Sequence, residues 1–92
     1  MSVQTGNMFG TVVDNQGQAL PGVTVTLTVA TRPPQVQVTD AMGRFRFPDL
    51  PPGSYSLRAE LEGFAPKELS GIEIRVGRNT EIEVTLNPAV SQ

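Results

Sequence analysis

The chain has 92 residues, of which 38% are hydrophobic and 17% are charged, and its formal net charge is −2 at pH 7. This size and composition fit a single folded domain, and the acidic balance excludes an electrostatic surface for nucleic acid. The sequence contains no Cys and no His, which excludes disulfides, thiolate metal sites and histidine-based acid–base catalysis.

The beginning of the chain is predicted to carry no targeting signal. Residues 1–7, MSVQTGN, lack a basic segment followed by an apolar run, and no window approaches the ~20 apolar residues of a membrane-spanning helix. We expect no membrane insertion by this chain, and a signal for export would lie outside it. We predict a flexible tail at residues 1–6, one folded domain at 7–87, and a second tail or linker at 88–92.

Apolar and polar residues alternate with a period of two, which predicts β-strands with one buried face. The opening segment, 8–13, is apolar without a clear face. Segment 23–29 is the clearest, because its aliphatic side chains point one way and its three threonines point the other. Shorter alternating segments follow at 36–39 and 44–47.

The second half of the chain continues the pattern at 55–61, 72–76 and 81–86, which brings the count to about seven strands. Residues 62–70 break the alternation and are predicted to form a long loop. Sheets with one apolar face bury that face against each other, so the sequence predicts an all-β, two-layer antiparallel sandwich. Gly, Pro, Asp and Asn fill the gaps between the strands, at 14–17, 20–22, 32–34, 40–43, 50–53 and 77–79.

Turn lengths predict two hairpins. The four-residue connection at 40–43 would place Val38 and Phe45 on the same face of a sheet. If the last two strands pair with each other, Ile74 and Ile82 share a face and a symmetric register brings Arg75 opposite Glu81.

Five of these turn-and-strand motifs, in their order along the chain, resemble the carboxypeptidase regulatory-like domain, a branch of the prealbumin-like (transthyretin-like) β-sandwiches. The resemblance runs from about Gly10 to Leu86 and implies a seven-stranded antiparallel Greek-key β-sandwich. The motifs are GTVVD at 10–14 with Gly17, LPGVTVTL at 20–27, TDAMGRFRF at 39–47, LPPGSYSL at 50–57, and Gly63-Phe64.

Domains of this family are accessory modules. They follow metallocarboxypeptidase catalytic domains, precede the barrels of outer-membrane TonB-dependent receptors, and occur in bacterial surface proteins. The resemblance therefore implies an extracytoplasmic setting in the periplasm, outer membrane or cell surface. It implies a non-catalytic structural or interaction module of a larger exported or cell-envelope protein, whose partners are other domains of the parent polypeptide or a cell-envelope protein. The alternative is a ligand-binding module for carbohydrate or a surface protein.

No catalytic, cofactor-binding or metal-binding residue is predicted, and no cofactor is expected. Zinc peptidases need ligands such as His and Glu, and the chain has no His. Hydroxyisourate hydrolases share the fold but rely on histidines and a C-terminal Tyr-Arg-Gly-Ser, where this chain has NPAVSQ at 87–92. Collagen-adhesin B-type repeats crosslink a Lys of the first strand to an Asn of the last. Here Asn79 and Asn87 flank the last strand, but the only lysine, Lys67, lies in the long connection.

Three aspartates, Asp14, Asp40 and Asp49, occupy predicted turns. Turn carboxylates bind Ca²⁺ where several oxygens converge, but an Asp more often caps its own turn, and we favour that interpretation.

Surface charge and one loop aromatic offer the remaining candidates for function. Arg44, Arg46 and Arg58 are expected to share an outer sheet face, either as a polar docking surface or, as we favour, a solvated face that discourages aggregation. Phe64 is interpreted as a plug at the end of the sandwich in preference to an exposed anchor.

Overall fold

A computed structural model describes residues 4–89, so the ends of the two predicted tails, 1–3 and 90–92, lie outside the described residues. Within that range no helix is long and apolar enough to cross a membrane. The elements are seven strands: β1 (Gly6–Asp14), β2 (Thr24–Val29), β3 (Arg32–Val38), β4 (Arg44–Leu50), β5 (Gly53–Glu60), β6 (Lys67–Ile74) and β7 (Asn79–Leu86).

The strands form two sheets packed face to face, which confirms the predicted seven-stranded sandwich. Sheet A has the order β4-β1-β7, and sheet B has the order β3-β2-β5-β6. All pairings are antiparallel except one, because β1 and β7 run parallel over eight successive residue pairs, from Asn7 opposite Asn79 to Asp14 opposite Leu86. The first and last strands therefore lie side by side, and the chain enters the sandwich at one end and leaves it at the other.

The core lies between the sheets and follows the predicted alternation. In β2, Val25 and Leu27 are buried while the three threonines that alternate with them face outward. In β4, Phe45 and Phe47 pack edge to face with their ring centroids 5.9 Å apart. The buried apolar cluster comprises Met8, Val12, Val23, Val25, Leu27, Phe45, Phe47, Leu50, Tyr55, Leu57, Ala59, Ile74, Val84 and Leu86.

The predicted hairpin between β3 and β4 is wrong. The two strands lie in different sheets, so the connection at 40–43 crosses from one layer of the sandwich to the other. Val38 is consequently 59% exposed, whereas Phe45 is buried. The parity argument applies only to strands that pair with each other, and β4 pairs with β1 instead, with Phe45 opposite Gly10.

The last two strands do not pair either. β6 belongs to sheet B and β7 to sheet A, so Ile74 and Ile82 contribute to opposite layers. Arg75 forms its ion pair with Glu73, at 3.3 Å, rather than with Glu81.

The predicted loop at 62–70 is too long, because β6 already begins at Lys67, which pairs with Ala59. The pairing of β5 with β6 shifts register, since Tyr55 and Leu57 of β5 oppose residues three positions apart in β6. Gly71 lies in this stretch with a φ of 70°. A bulge of this kind inserts one extra residue and so breaks the alternation on which the sequence prediction relied.

Pro33 and Pro34 lie inside β3 and do not interrupt it. A strand can hold proline only where the missing N–H is not needed by a neighbour, and β3 is the edge of sheet B. Val36 and Val38 follow in the same strand and are both more than half exposed. The edge position therefore explains both departures of this strand from the predicted pattern.

One buried hydroxyl joins the β3–β4 connection to the β1–β2 connection. Thr39 is 5% exposed, and its Oγ1 donates to the carbonyl oxygen of Leu20 at 2.7 Å and accepts from the N–H of Val23 at 2.9 Å. This side chain satisfies two backbone groups of the loop that leads into β2. Leaving these two groups without hydrogen bonds would cost free energy, because they are shielded from water.

We expect Thr39→Val to lower the free energy of unfolding by about 1–3 kcal/mol, because it leaves a buried N–H and a carbonyl without a partner. Thr39→Ser keeps the hydroxyl and is the matched control. Urea unfolding followed by circular dichroism measures both variants. Equal stability of Thr39→Val and Thr39→Ser would contradict this role for the hydroxyl.

The turn before β4 is held by Asp40. Its Oδ1 accepts hydrogen bonds from the N–H groups of Met42 and Arg44, both at 2.9 Å. The hydrogen bond from the Arg44 N–H is the largest cause that lowers the pKa of Asp40 below the ordinary value of 3.8. The ionised carboxylate therefore stabilises the folded state above the unfolded pKa, and this contribution is lost as the pH falls through the lowered folded value.

Asp40→Asn should consequently weaken the pH dependence of stability on the acid side. The wild-type chain is expected to lose more thermal stability than the variant as the pH falls from 5 to about 2. Melting temperatures across this range measure the difference, and Glu62→Gln controls for the loss of one negative charge. Parallel curves for wild type and Asp40→Asn would show that the cap does not depend on ionisation.

Candidate functional site

The most organised surface of the domain is the outer face of sheet A. Phe9 of β1 lies opposite Arg46 of β4 on one side and opposite Glu81 of β7 on the other. Thr11 lies in the same way between Arg44 and Glu83. We call these six residues the sheet A face: it is basic along β4, uncharged along β1 and acidic along β7.

The opposite charges of the sheet A face do not neutralise each other. β1 separates the two charged strands, so their backbones lie roughly 10 Å apart, at twice the spacing of neighbouring strands. Among residues 4–89, Arg44, Arg46, Glu81 and Glu83 form no ion pair within 4.0 Å. Arg46 instead lies over the ring of Phe9, with its guanidinium carbon 5.7 Å from the ring centroid, and covers this aromatic with a cation–π contact.

A groove of about 610 Å³ runs along the β4 side of this face. Its lining includes Phe9, Arg44 and Arg46 of sheet A and Gln37 and Val38 of sheet B. The groove is open to solvent and carries two arginines and the carboxylates of Asp40 and Glu81 beside apolar surface. Such a surface offers non-covalent contacts to a polar partner and holds no nucleophile paired with a base.

The outer face of sheet B has a different character. Thr24, Thr26 and Thr28 of β2 run across it, and Arg58 of β5 forms ion pairs with Glu60 at 3.4 Å and with Glu68 at 3.2 Å. The hydrogen bond to Glu68 is the main cause that raises the pKa of Arg58. All three groups of this ion-pair cluster are largely exposed to solvent, so the pairs contribute little to stability.

The prediction that three arginines share one outer face is therefore wrong. Arg44 and Arg46 lie on sheet A, whereas Arg58 lies on sheet B. The error follows from the β3–β4 connection, which crosses between the layers and carries β4 away from the sheet that contains β5.

Asp14 and Asp40 each cap a turn, whereas Asp49 lies within β4 and not in the turn predicted for it. Asp14 accepts hydrogen bonds from the N–H groups of Gln16 and Gln18, at 2.8 and 2.9 Å, and Asp40 caps its own turn in the same way. Asp49 takes the left-handed conformation, with a φ of 57°, and its N–H donates to Asn7 Oδ1. In the described part of the chain, no three acidic side chains converge to hold a metal ion.

The remaining candidates also have structural positions. Lys67 begins β6 in sheet B, while Asn79 begins β7 in sheet A and accepts a hydrogen bond from the side chain of Asn7 at 3.0 Å. Asn87 follows β7, and its carbonyl accepts from the N–H of Ala65. Phe64 is half-buried against the core, which agrees with the interpretation of this residue as a plug.

Two surface features were not predicted from the sequence. Phe9 faces outward, and the neighbouring Gly10 holds the inward position, so the apolar run at 8–13 concealed which side was exposed. Val36 and Val38 face outward because they pair with Thr26 and Thr24 of the outer face. The prolines that precede these valines in β3 were the available signal for an edge strand.

Comparison with known proteins gives one family and several relatives of the same fold. A model of the carboxypeptidase regulatory-like domain matches residues 7–87. The TonB-dependent transporter Oar of Myxococcus xanthus is 43% identical in an alignment 89 residues long that covers 92% of this chain. The chain spans only 8% of the length of that transporter.

Solved structures agree on the architecture. A minor pilin of Streptococcus agalactiae superposes with a TM-score of 0.78 at 19% identity, over 97% of this chain and 47% of the pilin. The 5-hydroxyisourate hydrolase of Klebsiella pneumoniae superposes with a TM-score of 0.70 at 24% identity, over 96% of this chain and 90% of the hydrolase. At these identities the likeness concerns the fold alone, which is a prealbumin-like β-sandwich.

The matched region extends from the second residue of β1 to the residue that follows β7. It includes all seven strands, and the motifs that suggested the resemblance lie within it. The chain therefore belongs to the carboxypeptidase regulatory-like domain family.

Proposed function

We propose that this domain is a non-catalytic structural spacer in a larger cell-envelope protein, which it serves by holding the chain segments before and after it at opposite ends of the sandwich. The observation that carries the proposal is the parallel pairing of β1 with β7. The entry of β1 and the exit of β7 are separated by the length of this ladder, roughly 23 Å.

Both ends of the sandwich are fixed to neighbouring turns, which makes the separation rigid. At the entry, the carbonyl of Thr5 accepts from the N–H of Gly77 at 2.9 Å. At the exit, the carbonyl of Asn87 accepts from the N–H of Ala65 at 2.8 Å, and the N–H of Ala89 donates to Gly63 at 3.0 Å. These contacts lie outside the β1–β7 ladder and extend the ordered backbone beyond the strands.

The setting of the proposal follows from the relatives. One is a transporter more than ten times the length of the matched segment, and another is a pilin. A domain that occupies a small part of a long envelope protein is suited to separate, orient or dock its neighbours. The same two relatives support an extracytoplasmic setting for the module.

The alternative function, carbohydrate binding, has weaker physical support. Sugar sites stack rings on exposed aromatic faces, and the outward Phe9 is already covered by Arg46. Phe45, Phe47 and Tyr55 are buried. The sheet A face, with its separated charges, is better suited to a protein neighbour of complementary charge than to a neutral sugar.

A fluorescence-transfer measurement tests the spacer. Donor and acceptor domains are fused to the two ends of the chain, and a Gly-Ser linker of equal length serves as reference. We expect one narrow distribution of transfer efficiency for the chain and a broad one for the linker, which behaves as a random coil. Val25→Asp buries an unpaired charge and should broaden the distribution, whereas Thr24→Asp, on the outer face, should leave it narrow.

A distribution for the wild-type chain as broad as that of the linker would contradict the spacer. Glycan-array binding by the same protein addresses the alternative, since a saturable sugar ligand that Phe9→Ala abolishes would favour carbohydrate recognition.

A further inference from the structure

We infer that the β1–β7 ladder is a mechanical clamp, which keeps the domain folded when tension acts along the polypeptide through its two ends. The inference rests on the spacer function proposed above and adds resistance to force. It arises from the direction of the two strands, the continuity of their pairing and the protection of the ladder by the core.

Two backbone contacts fix which groups of β1 face which neighbour. The N–H of Asn7 donates to the carbonyl of Arg78 at 3.0 Å, on the β7 side, and the N–H of Val12 donates to the carbonyl of Gly43 at 2.7 Å, on the β4 side. In a central strand, the backbone N–H and C=O groups of alternate residues point to opposite neighbouring strands. Those of the odd-numbered residues of β1 therefore point to β7. The same alternation directs the N–H of Thr80 toward β1 and that of Glu81 toward the open edge of the sheet.

The ladder is continuous, which distinguishes it from the other pairing of β1. Its eight residue pairs follow one another without a register shift, whereas the β1–β4 pairing shifts between Gly6 and Met8. A continuous ladder can share a load among all its hydrogen bonds. A shifted ladder contains a point at which slippage begins.

The core shields the middle of the ladder. Gly10 lies opposite Phe45, and a side chain at this position would clash with the Phe45 ring and would lie 2.7 Å from the carbonyl oxygen of Ile82. The absence of a side chain lets the ring lie directly against the backbone of β1 beside β7. Val12 and its ladder neighbour Val84 are buried as well, so water has little access to these bonds from the inner face.

Tension through the chain ends pulls β1 toward its beginning and β7 toward its end. Because the strands are parallel, these pulls are opposite in direction, and the strands must slide past each other lengthwise. Every hydrogen bond of the ladder is then strained together. A pull that acts on one end of the ladder alone would instead break the bonds one after another, and each step would cost only a single bond.

Single-molecule force spectroscopy with two anchor geometries tests the clamp on one and the same ladder. The chain has no cysteine of its own, so a single introduced thiol defines the second anchor. The first anchor is the N-terminus. When the second anchor is the thiol of Ala89→Cys, the force acts along the length of the ladder. When the second anchor is the thiol of Arg78→Cys, the force peels β1 from β7, because Arg78 contacts Asn7 at the entry of the ladder. Both replaced side chains are exposed.

We expect the rupture force in the lengthwise geometry to exceed that in the peeling geometry about two-fold or more at equal pulling speed, since forced unfolding follows the unfolding rate under load. The lengthwise rupture should release about 260 Å of chain, the extended length from the start of β1 to the end of β7 less its folded length. Equal forces in the two geometries, or a stronger peeling geometry, would overturn the clamp.

A pair of proline variants locates the resistance. In the lengthwise geometry, Thr80→Pro removes an N–H that faces β1 and should lower the rupture force, while Glu81→Pro removes an N–H at the open edge and should leave it unchanged. Equal effects of both variants would place the resistance outside the ladder. If Thr80→Pro prevents folding, the comparison of anchors, which leaves the ladder intact, decides alone.

Failure of the clamp and failure of the spacer give different results. A narrow distribution of transfer efficiency together with equal rupture forces retains the spacer and rejects the clamp. A broad distribution rejects the spacer, and the rupture forces still report whether the ladder resists sliding.

Discussion

The parallel pairing of β1 with β7 is the constraint on which the rest of the structure depends. It makes the first strand the centre of sheet A, because β1 has β4 on its other side. It also joins the two most distant parts of the chain and fixes the ends of the domain at opposite poles. The connections at 40–43 and 75–78 must then cross between sheets, so that β4 and β7 reach β1.

The crossing connections decide how the surface is arranged. The first carries Arg44 and Arg46 to sheet A, away from Arg58, and the second brings Glu81 and Glu83 to the far side of Phe9. Separated opposite charges on one face are a consequence of this strand order. The sheet A face is therefore suited to a neighbour whose own charges are arranged in the complementary order, which agrees with a module that contacts other parts of a longer protein.

The sequence allowed the strands and their buried sides to be predicted where the alternation was regular, as in Val25 and Leu27, because side-chain period is a local property. Asp40 was likewise predictable as a turn cap. The partners of each strand were not predictable: the turn at 40–43 has the same residues whether it joins a hairpin or crosses between sheets. Parallel pairing of residues more than 70 positions apart leaves no mark in either strand. The Gly71 bulge was missed because it breaks the alternation, Phe9 because the apolar run around it shows no polar side, and Val36 because an edge strand turns its regular apolar side outward.

The central claim is that the chain enters and leaves the domain at opposite ends, and the distance between those ends tests it most directly. Spin labels on the cysteines of a Thr5→Cys, Asn87→Cys variant report this distance by electron-spin dipolar spectroscopy. The parallel ladder predicts one narrow population centred at about 30 Å. A population centred at about 10 Å would mean that β1 and β7 run antiparallel, with both ends of the domain at the same pole, and would contradict the account.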